Sequence, residues 1–592
     1  MTRHGLNAEQ LAAVNSSGNI LLTACPGSGK TRVIIHKLVH EVEQLDKLSK
    51  RKVISLTYTV RASEEIVRRL NNLGVDCRQI WTGTIHSFCL EWIIRPYAGY
   101  LKELRKGFTI ADEAFCSELI DDLKKKYHIN PLDSINQRIN RDGSFVTTNT
   151  TIRILLKEYH QLLFNRRLVD FELVLYHSYR ILSAYPKVCR TLSDLICKIC
   201  VDEYQDTQDL QYGILSKIVN AGNGATTIFF VGDIDQAIYT SLGGVAKELD
   251  EIKAELDPLP ITELSLTGNY RSNQRIIDFY RHFQNKSIPI TAVGANKDER
   301  GMISLNKVIN FEHLPEEIAR LIQLSIDSGI PEDEICVLVP QWWLITKISR
   351  KLRVLMPHVN FDASGLAPMS KNRDNLWYKL SRLFLTSPAP RLYSARYRWA
   401  TEVIHDFRIA TNMPLLDVEN PERHLLRLIN SIESKELEGV DFLKDSFNLF
   451  MQFFEIELCD HPLLKECYDL FFKGVESRLK DKEFNMPSDT ASFKSFYREM
   501  AGVVINTCVG VKGEEFETVI AYGLLHGYIP HWNEVFHGNP DEASKKLMYV
   551  ICSRAKSNLH LISERGRKTK SGSKEYQINT QLGNIAFTYD LV

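Results

Sequence analysis

The chain has 592 residues, enough for roughly four domains at about 150 residues each. Basic and acidic residues balance at 73 each, so bulk charge marks no polyanion binder, and any nucleic-acid site must be a local groove. No apolar run approaches the roughly 18 residues of a membrane span and no charged-then-apolar leader stands at the start, so a soluble cytoplasmic protein without a membrane partner is expected. Twelve cysteines are scattered through the chain. Cys197 and Cys200 form the one CxxC, inside an apolar run, where core packing is expected rather than a zinc or redox pair.

Leu6-Asn7-Ala8-Glu9-Gln10 begins a short helix carrying Leu11, Ala12 and Val14. An apolar strand, Asn19–Thr23, then leads into Ala24-Cys25-Pro26-Gly27-Ser28-Gly29-Lys30-Thr31 and a helix bearing Val33, Ile34 and Leu38. Strand, glycine loop and helix together make the context of a phosphate loop. Its backbone N–H groups wrap a polyphosphate, and the helix points its positive end at the anion. Lys30 supplies a point charge to the outer phosphates and Thr31 an oxygen for Mg²⁺. Ala24 stands where the general motif has its first glycine. Upstream of such a loop, the Gln10 amide, which both donates and accepts, suits an adenine edge.

Lys52–Tyr58 reads as a strand ending in Tyr58-Thr59-Val60-Arg61-Ala62, followed by a helix through Ile66 and Leu70. A second short strand leads into Thr84-Ile85-His86-Ser87-Phe88. Both put aromatic, hydroxyl and basic groups at C-terminal strand ends, where open α/β sheets bind ligands. Residues 91–175 read as a mostly helical insertion, since the sheet pattern resumes only at Leu195–Val201. That strand delivers Asp202-Glu203-Tyr204-Gln205-Asp206. One of two adjacent acids can hold Mg²⁺ while the next orients and deprotonates a water. Thr227–Val231 ends in Gly232-Asp233-Ile234-Asp235-Gln236-Ala237-Ile238-Tyr239, and Leu266-Thr267-Gly268-Asn269-Tyr270-Arg271-Ser272 follows. An arginine so placed can neutralise transition-state charge.

A second α/β pattern covers 276–386, with a strand at Ile335–Val339 and a helix through Ile348 and Leu352. Ser387-Pro388-Ala389-Pro390 breaks it. Residues 391–496 are helical and rich in aromatics (Phe442, Phe447, Phe450, Phe453, Phe454), expected to form a core rather than a DNA face. The sheet pattern returns at Val503–Ile505. Arg565–Lys574 holds five basic residues and reads as a solvated or a phosphate-contacting loop.

With Thr507-Cys508-Val509-Gly510-Val511-Lys512-Gly513-Glu514-Glu515-Phe516 and Tyr549-Val550-Ile551-Cys552-Ser553-Arg554-Ala555-Lys556, nine blocks stand in order. In these blocks the chain resembles the superfamily 1A helicases of the UvrD/Rep/PcrA group. The resemblance implies an α/β fold of two RecA-like P-loop motor domains, parallel sheets flanked by helices, each with a largely helical inserted subdomain. The first would comprise 1–90 and 176–275 with insertion 91–175. The second would comprise 276–386 and 497–592 with a reduced insertion, 387–496.

It further implies one Mg²⁺-ATP between the two motor domains. Lys30 and the loop Ala24–Thr31 would hold phosphates, Thr31 and Asp202 the metal, and Glu203 the water. Gln10, Arg32 and Tyr270 would hold adenine, Glu515 the ribose, and Arg271 and Arg554 the γ-phosphate, with Gln236 coupling ATP to DNA. Tyr58, Thr59, Arg61, Thr84, His86, Tyr239, Thr507 and Lys512 would meet single-stranded or tailed double-stranded DNA, and movement would run 3′ to 5′. The chain departs from the family pattern at Ser241 and Leu242 (usually tryptophan and arginine), Val509 (histidine), Glu514 (leucine) and Val60-Arg61 (asparagine-lysine). All lie on the DNA side. Ile93-Ile94-Arg95-Pro96 and the compact build also resemble the helicase-like subunit of Gabija antiphage systems, which implies a separate OLD-family nuclease partner.

Overall fold

The computed structural model describes residues 5–592 apart from 112, 132, 134, 240–242, 287, 364–368, 370–374, 390–391, 412–415, 417, 481–487, 496–501, 532–538 and 570–573. The expectation placed on Ser241 and Leu242 therefore lies outside the described residues. Two compact units result. Unit one holds Met1–Ala111, Leu119–Glu312 and Cys508–Val592; unit two holds Asp112–Glu118 and His313–Thr507.

Unit one is built on six parallel strands: β1 (Asn19–Ala24), β2 (Lys52–Thr57), β3 (Ile80–Thr84), β4 (Ile196–Asp202), β5 (Thr227–Gly232) and β6 (Ile261–Leu266). Their order is β3-β2-β4-β5-β1-β6. The central strands are continuous apolar runs (Ile20–Leu22, Ile199–Val201, Ile228–Val231), because a parallel sheet is covered on both faces. Edge strand β6 is half-exposed instead. Helices α1 (Ala8–Asn15), α2 (Lys30–Glu43) and α3 (Val60–Asn72) follow the pattern expected. The insertion contains α4 (Thr150–Asn165), α5 (Phe171–Ala184) runs past its expected end at 175, and α6 (Asp209–Gly222) follows β4.

Beyond α7 (Gln274–Tyr280) and β7 (Met302–Asn306) the chain enters unit two. There β8 (Ile335–Val339), β9 (Phe361–Ala363) and β10 (Val503–Thr507) run parallel in the order β9-β10-β8. Helix α8 (Trp342–Leu355) follows β8. The aromatic stretch forms a core, as expected. Trp377, in α9 (Leu376–Phe384), is fully buried, with ring centroids 5.0 Å from Phe447 and Tyr468. Phe442, Phe447 and Phe450 of α10 (Gly439–Phe453) are buried, whereas Phe453 faces out.

The chain ends in unit one with β11 (Phe516–Ala521), α11 (Pro540–Cys552) and β12 (Ala555–Ile562), giving the parallel set β7-β12-β11. The compact units thus cut the chain elsewhere than the expected domains. Residues 508–592 join the first unit through the turn before α7: Asn273 N–H donates to Lys556 O at 3.1 Å and Ser272 Oγ to Ala555 O at 2.6 Å. Among the described residues no helix is long and apolar enough to cross a membrane. All twelve cysteines are free thiols. Burial pushes Cys200 up to about 12, which leaves the CxxC protonated and packed.

Candidate nucleotide site and strand face

Gly27 and Gly29 of the phosphate loop have φ of 68° and 82°, the left-handed region open to glycine. Space makes the same demand. A Cβ at Gly27 would lie 2.6 Å from Arg271 Cβ, and one at Gly29 would lie 2.9 Å from Gln10 Nε2. Gly29 caps α2 without a side chain, so the free N–H groups of the first turn face the loop. Ala24 is still strand, paired in register with Leu266, so a methyl replaces the usual glycine without strain. Burial, with the Asp233 charge behind it, pushes Cys25 up to about 12, which leaves an inert thiol.

The loop is held from two distant segments. Gln10 Nε2 donates to Ser28 O at 2.9 Å, and Gln10 Oε1 accepts from Asn7 N–H at 3.1 Å. Both ends of that amide are thus committed within the protein, and Gln10 is buried. Asn269 is the second anchor, and sequence reasoning gave it no role. Its Nδ2 donates to Pro26 O at 2.8 Å, and its Oδ1 accepts the N–H groups of Arg271 and Ser272 at 2.8 Å each. Tyr270 N–H donates to Gly27 O at 2.8 Å, while the Tyr270 ring is 40% exposed, its hydroxyl accepting from Asn7 Nδ2. Arg32 is exposed on the first turn of α2.

β4 carries the acid pair. Glu203 takes a left-handed φ of 50°, a conformation that costs a non-glycine residue about 1 kcal/mol. This turns its carboxylate toward Lys30, with Nζ to Oε1 at 4.0 Å. Gln205 Nε2 donates to Glu203 Oε2 and Gln205 Oε1 accepts from Asp233 N–H at 3.0 Å, tying β4 to β5. Burial and the neighbouring Glu203 charge push Asp202 up to about 7. Burial acts on Glu203 too, but Lys30 and Lys512 outweigh it and hold its carboxyl low. Asp233 rises to about 6, mainly by burial.

These groups fit a magnesium–polyphosphate. Glycines that admit no Cβ form the cradle, Lys30 faces it, and the acid pair stands beside it. Thr31 stands in the first turn of α2 and Asp202 closes β4, a two-oxygen set suited to an ion that keeps water and phosphate ligands. Among the described residues no group of three or more His, Cys, Asp or Glu side chains offers an all-protein cage.

The two arginines converge on the same place. Arg271 Nε pairs with Glu515 Oε2 at 2.7 Å and its Nη1 donates to Ser553 O at 2.8 Å. Glu515, expected at a ribose, is here the partner of that guanidinium. Arg554 is fully buried; its Nη2 donates to Gln236 Oε1 at 2.8 Å, and Gln236 Nε2 donates to Asp233 Oδ2 at 2.8 Å. Burial and the charge of Arg271 lower Arg554 to about 9, still cationic at neutral pH. Two guanidiniums that destabilise one another call for an anion between them.

On the strand side, Tyr58 and Tyr239 stack at 4.5 Å with 28° between planes. Lys512, which the resemblance places at the DNA, has a buried side chain. Its Nζ donates to Asp206 Oδ2 at 2.5 Å and Gln236 O at 2.8 Å and lies 4.9 Å over the Tyr239 ring. Burial pushes Asp206 up to about 7 even with that ammonium against it. Arg61 pairs with Glu514, so two positions where the chain departs from the family pattern meet each other. The Thr59 and Thr84 hydroxyls cap helices, accepting from Ala62 N–H at 3.2 Å and Ser87 N–H at 3.3 Å. His86 sits edge-on to Phe171, and burial lowers it to about 4, so it is neutral. Thr507 ends β10 in unit two.

Residues 6–257 match the family model of the UvrD/REP helicase N-terminal domain. The ATP-dependent DNA helicase PcrA of Staphylococcus epidermidis is 23% identical over 94% of this chain and 83% of its own length. That of Staphylococcus aureus is 22% identical over the same shares. Motif order, parallel sheets and these matches agree in direction: the chain is similar to the UvrD/Rep/PcrA-type superfamily 1A helicases, and its residues 6–257 carry the likeness to their N-terminal domain.

Proposed function

We propose that this chain is an ATP-driven motor that moves 3′ to 5′ on single-stranded DNA and separates tailed duplexes. The observation that carries this reading is the convergence of Arg271 and Arg554 with Lys30 and Glu203 around one glycine cradle. Lys30 and the loop N–H groups would grip the phosphates, and Thr31 and ionised Asp202 the Mg²⁺, which supplies charge neutralisation at the phosphates. Glu203, held low by Lys30, accepts a proton from the attacking water. Arg271 and Arg554 neutralise charge developing on the transferred phosphoryl, a role typically worth about 10³–10⁵ in rate. The exposed ring of Tyr270 suits an adenine face, with Arg32 beside it. Gln10 supports the loop and would meet the base only by releasing Ser28.

Coupling would run through Gln236. Its side chain touches Arg554, and its carbonyl oxygen accepts from Lys512, which lies under the Tyr239–Tyr58 stack. Hydrolysis rates with and without single-stranded DNA, set beside displacement from 3′-tailed and 5′-tailed duplexes, test the reading. DNA-stimulated turnover with displacement from the 3′ tail is expected. Displacement from 5′ tails alone, or turnover indifferent to DNA, would sink it.

A second reading has one observation in its favour: Arg61, expected to meet DNA, is paired with Glu514. On that reading the chain is an ATP-regulated DNA-binding partner of a separate nuclease, in antiphage defence. Stimulation by DNA without displacement, restored by a co-purifying nuclease, is its signature.

A further inference from the structure

The helix that follows the Arg271 turn, α7, has seven residues, too few to stand by propensity alone, so its placement is set by what packs on it. Its cap, Asn273, comes two positions after Arg271. The hydroxyl of its last residue, Tyr280, accepts from Asn269 Nδ2 at 2.9 Å, and Asn269 in turn holds the Arg271 N–H and Pro26 O of the phosphate loop. A shift of α7 therefore carries the Arg271 corner with it. Arg275 and Phe279, four residues apart, share another face of the helix. A segment outside every motif block, Phe587–Asp590, braces that face.

Asp590 Oδ2 accepts from Arg275 Nη1 at 2.5 Å and from Ile303 N–H at 2.9 Å, and Oδ1 accepts from Arg300 Nη2 at 2.9 Å. Asp590 N–H donates back to Ile303 O at 2.8 Å, and Arg275 Nη2 donates to Thr588 O at 2.8 Å. The Phe587 ring meets Phe279 edge-on at 4.9 Å, with the Arg275 guanidinium 5.7 Å from its centroid. Burial works against the Asp590 charge, but its Arg275 and Ile303 partners outweigh it and hold the carboxyl below its ordinary range. One carboxylate thus joins α7 to β7, and β7 lies in register beside β12, the strand that begins one residue after Arg554.

We propose that Asp590 is a positioning residue for phosphoryl transfer: by clamping Arg275 it fixes α7, and with it the Arg271 guanidinium, relative to Arg554. The inference rests on the motor reading, in which Arg271 meets the transferred phosphoryl, and adds to it a residue that touches no nucleotide. Misplacing a charge-stabilising group by about 1 Å costs on the order of 10²-fold in rate, so a distant brace is enough to limit turnover.

The test compares Asp590→Asn with wild type in the full chain, by hydrolysis and by binding of two ligands. One is Mg-ADP; the other is Mg-ADP with aluminium fluoride, which mimics the phosphoryl in flight. D590N should lower kcat and weaken the aluminium fluoride complex by about 10- to 100-fold each, while KM and ADP affinity stay within about twofold. Adding D590N to R271A should cost nothing further, since a brace is silent once the group it places is gone. R300Q removes an exposed partner of the same carboxylate and should behave as wild type. F587L leaves the carboxylate in place and should show the same split in milder form, which serves if D590N folds poorly. Equal losses on both ligands overturn the proposal, because a merely structural role would produce them. So do additive losses in the double variant, a loss in R300Q equal to that in D590N, or wild-type turnover by D590N. Failure of the motor reading shows separately, as R271A alone hydrolysing ATP at the wild-type rate.

Discussion

The two sides of unit one treat charge in opposite ways. Around the phosphate loop, Arg554 is held by the neutral amide of Gln236 and by backbone carbonyls, while Arg271 meets Glu515 and Lys30 stands 4.0 Å from Glu203. On the strand side the two expected cations are already matched by acids, Arg61 by Glu514 and Lys512 by Asp206. The nucleotide side therefore keeps one buried guanidinium, Arg554, on neutral partners, while both of these strand-side cations meet a carboxylate. The contrast teaches where each cation is committed: a γ-phosphate needs a guanidinium not already taken by a carboxylate, whereas a moving strand needs only weak, exchangeable contacts.

The largest expected effect breaks the nucleotide side alone. Lys30→Ala or Glu203→Gln should lower hydrolysis by about 10³-fold or more, with a melting temperature near wild type because both side chains are partly open to solvent. Normal turnover by either variant, measured by phosphate release, would remove the site assignment.

Next comes the link between the sides. Asp206→Asn or Lys512→Met each leaves half of a buried pair and should cost about 3–5 kcal/mol. The double variant should regain most of that stability, as neutral replacements of buried pairs do, yet keep a lowered ratio of DNA-stimulated to basal turnover. A double variant with full stimulation would make the pair purely structural.

The third prediction concerns pH at the wall behind the strand face. Burial, helped by the Asp170 charge, pushes Glu172, next to the Phe171 that packs on His86, up to about 7. The folded chain then binds a proton that the unfolded chain releases near pH 4–5, so stability falls as pH rises from about 4.5 to 7. Glu172→Gln should be no more stable than wild type at pH 4.5 and more stable by up to about 3 kcal/mol at pH 8. Thermal melts of both proteins across that range check the sign; parallel curves would refute it.

Smallest is the exposed pair. Glu514→Leu should free Arg61 and tighten single-strand binding by up to about fivefold at low salt, with the salt slope rising by about 0.7. Equal affinities before and after would show that Arg61 plays no part in gripping DNA.

Much of this was legible in the sequence. The phosphate loop, the acid pair at the end of β4 and the aromatic core of unit two follow from local patterns: a strand run into glycines, two acids after apolar residues, phenylalanines at helical spacing. What could not be read was which partner each polar group would choose. Gln10 carries the right amide for adenine, yet the loop carbonyl 18 residues away claims it. Lys512 is expected at the DNA, and nothing near it in sequence announces Asp206, 306 residues earlier. Asn269 stands in a motif block with no role of its own there, since its contact is with distant Pro26. Long-range pairing of short polar side chains has no period, so only the fold reveals it.

Asn269 also bears on how this scaffold can change. One carboxamide welds two loops 243 residues apart into a single corner. Lengthening either loop by a residue would tear that corner, and so would a bulkier side chain at Gly27. Variation that alters the enzyme's traction on DNA must therefore accumulate elsewhere on the surface, and the anion-gripping corner is inherited whole or lost whole.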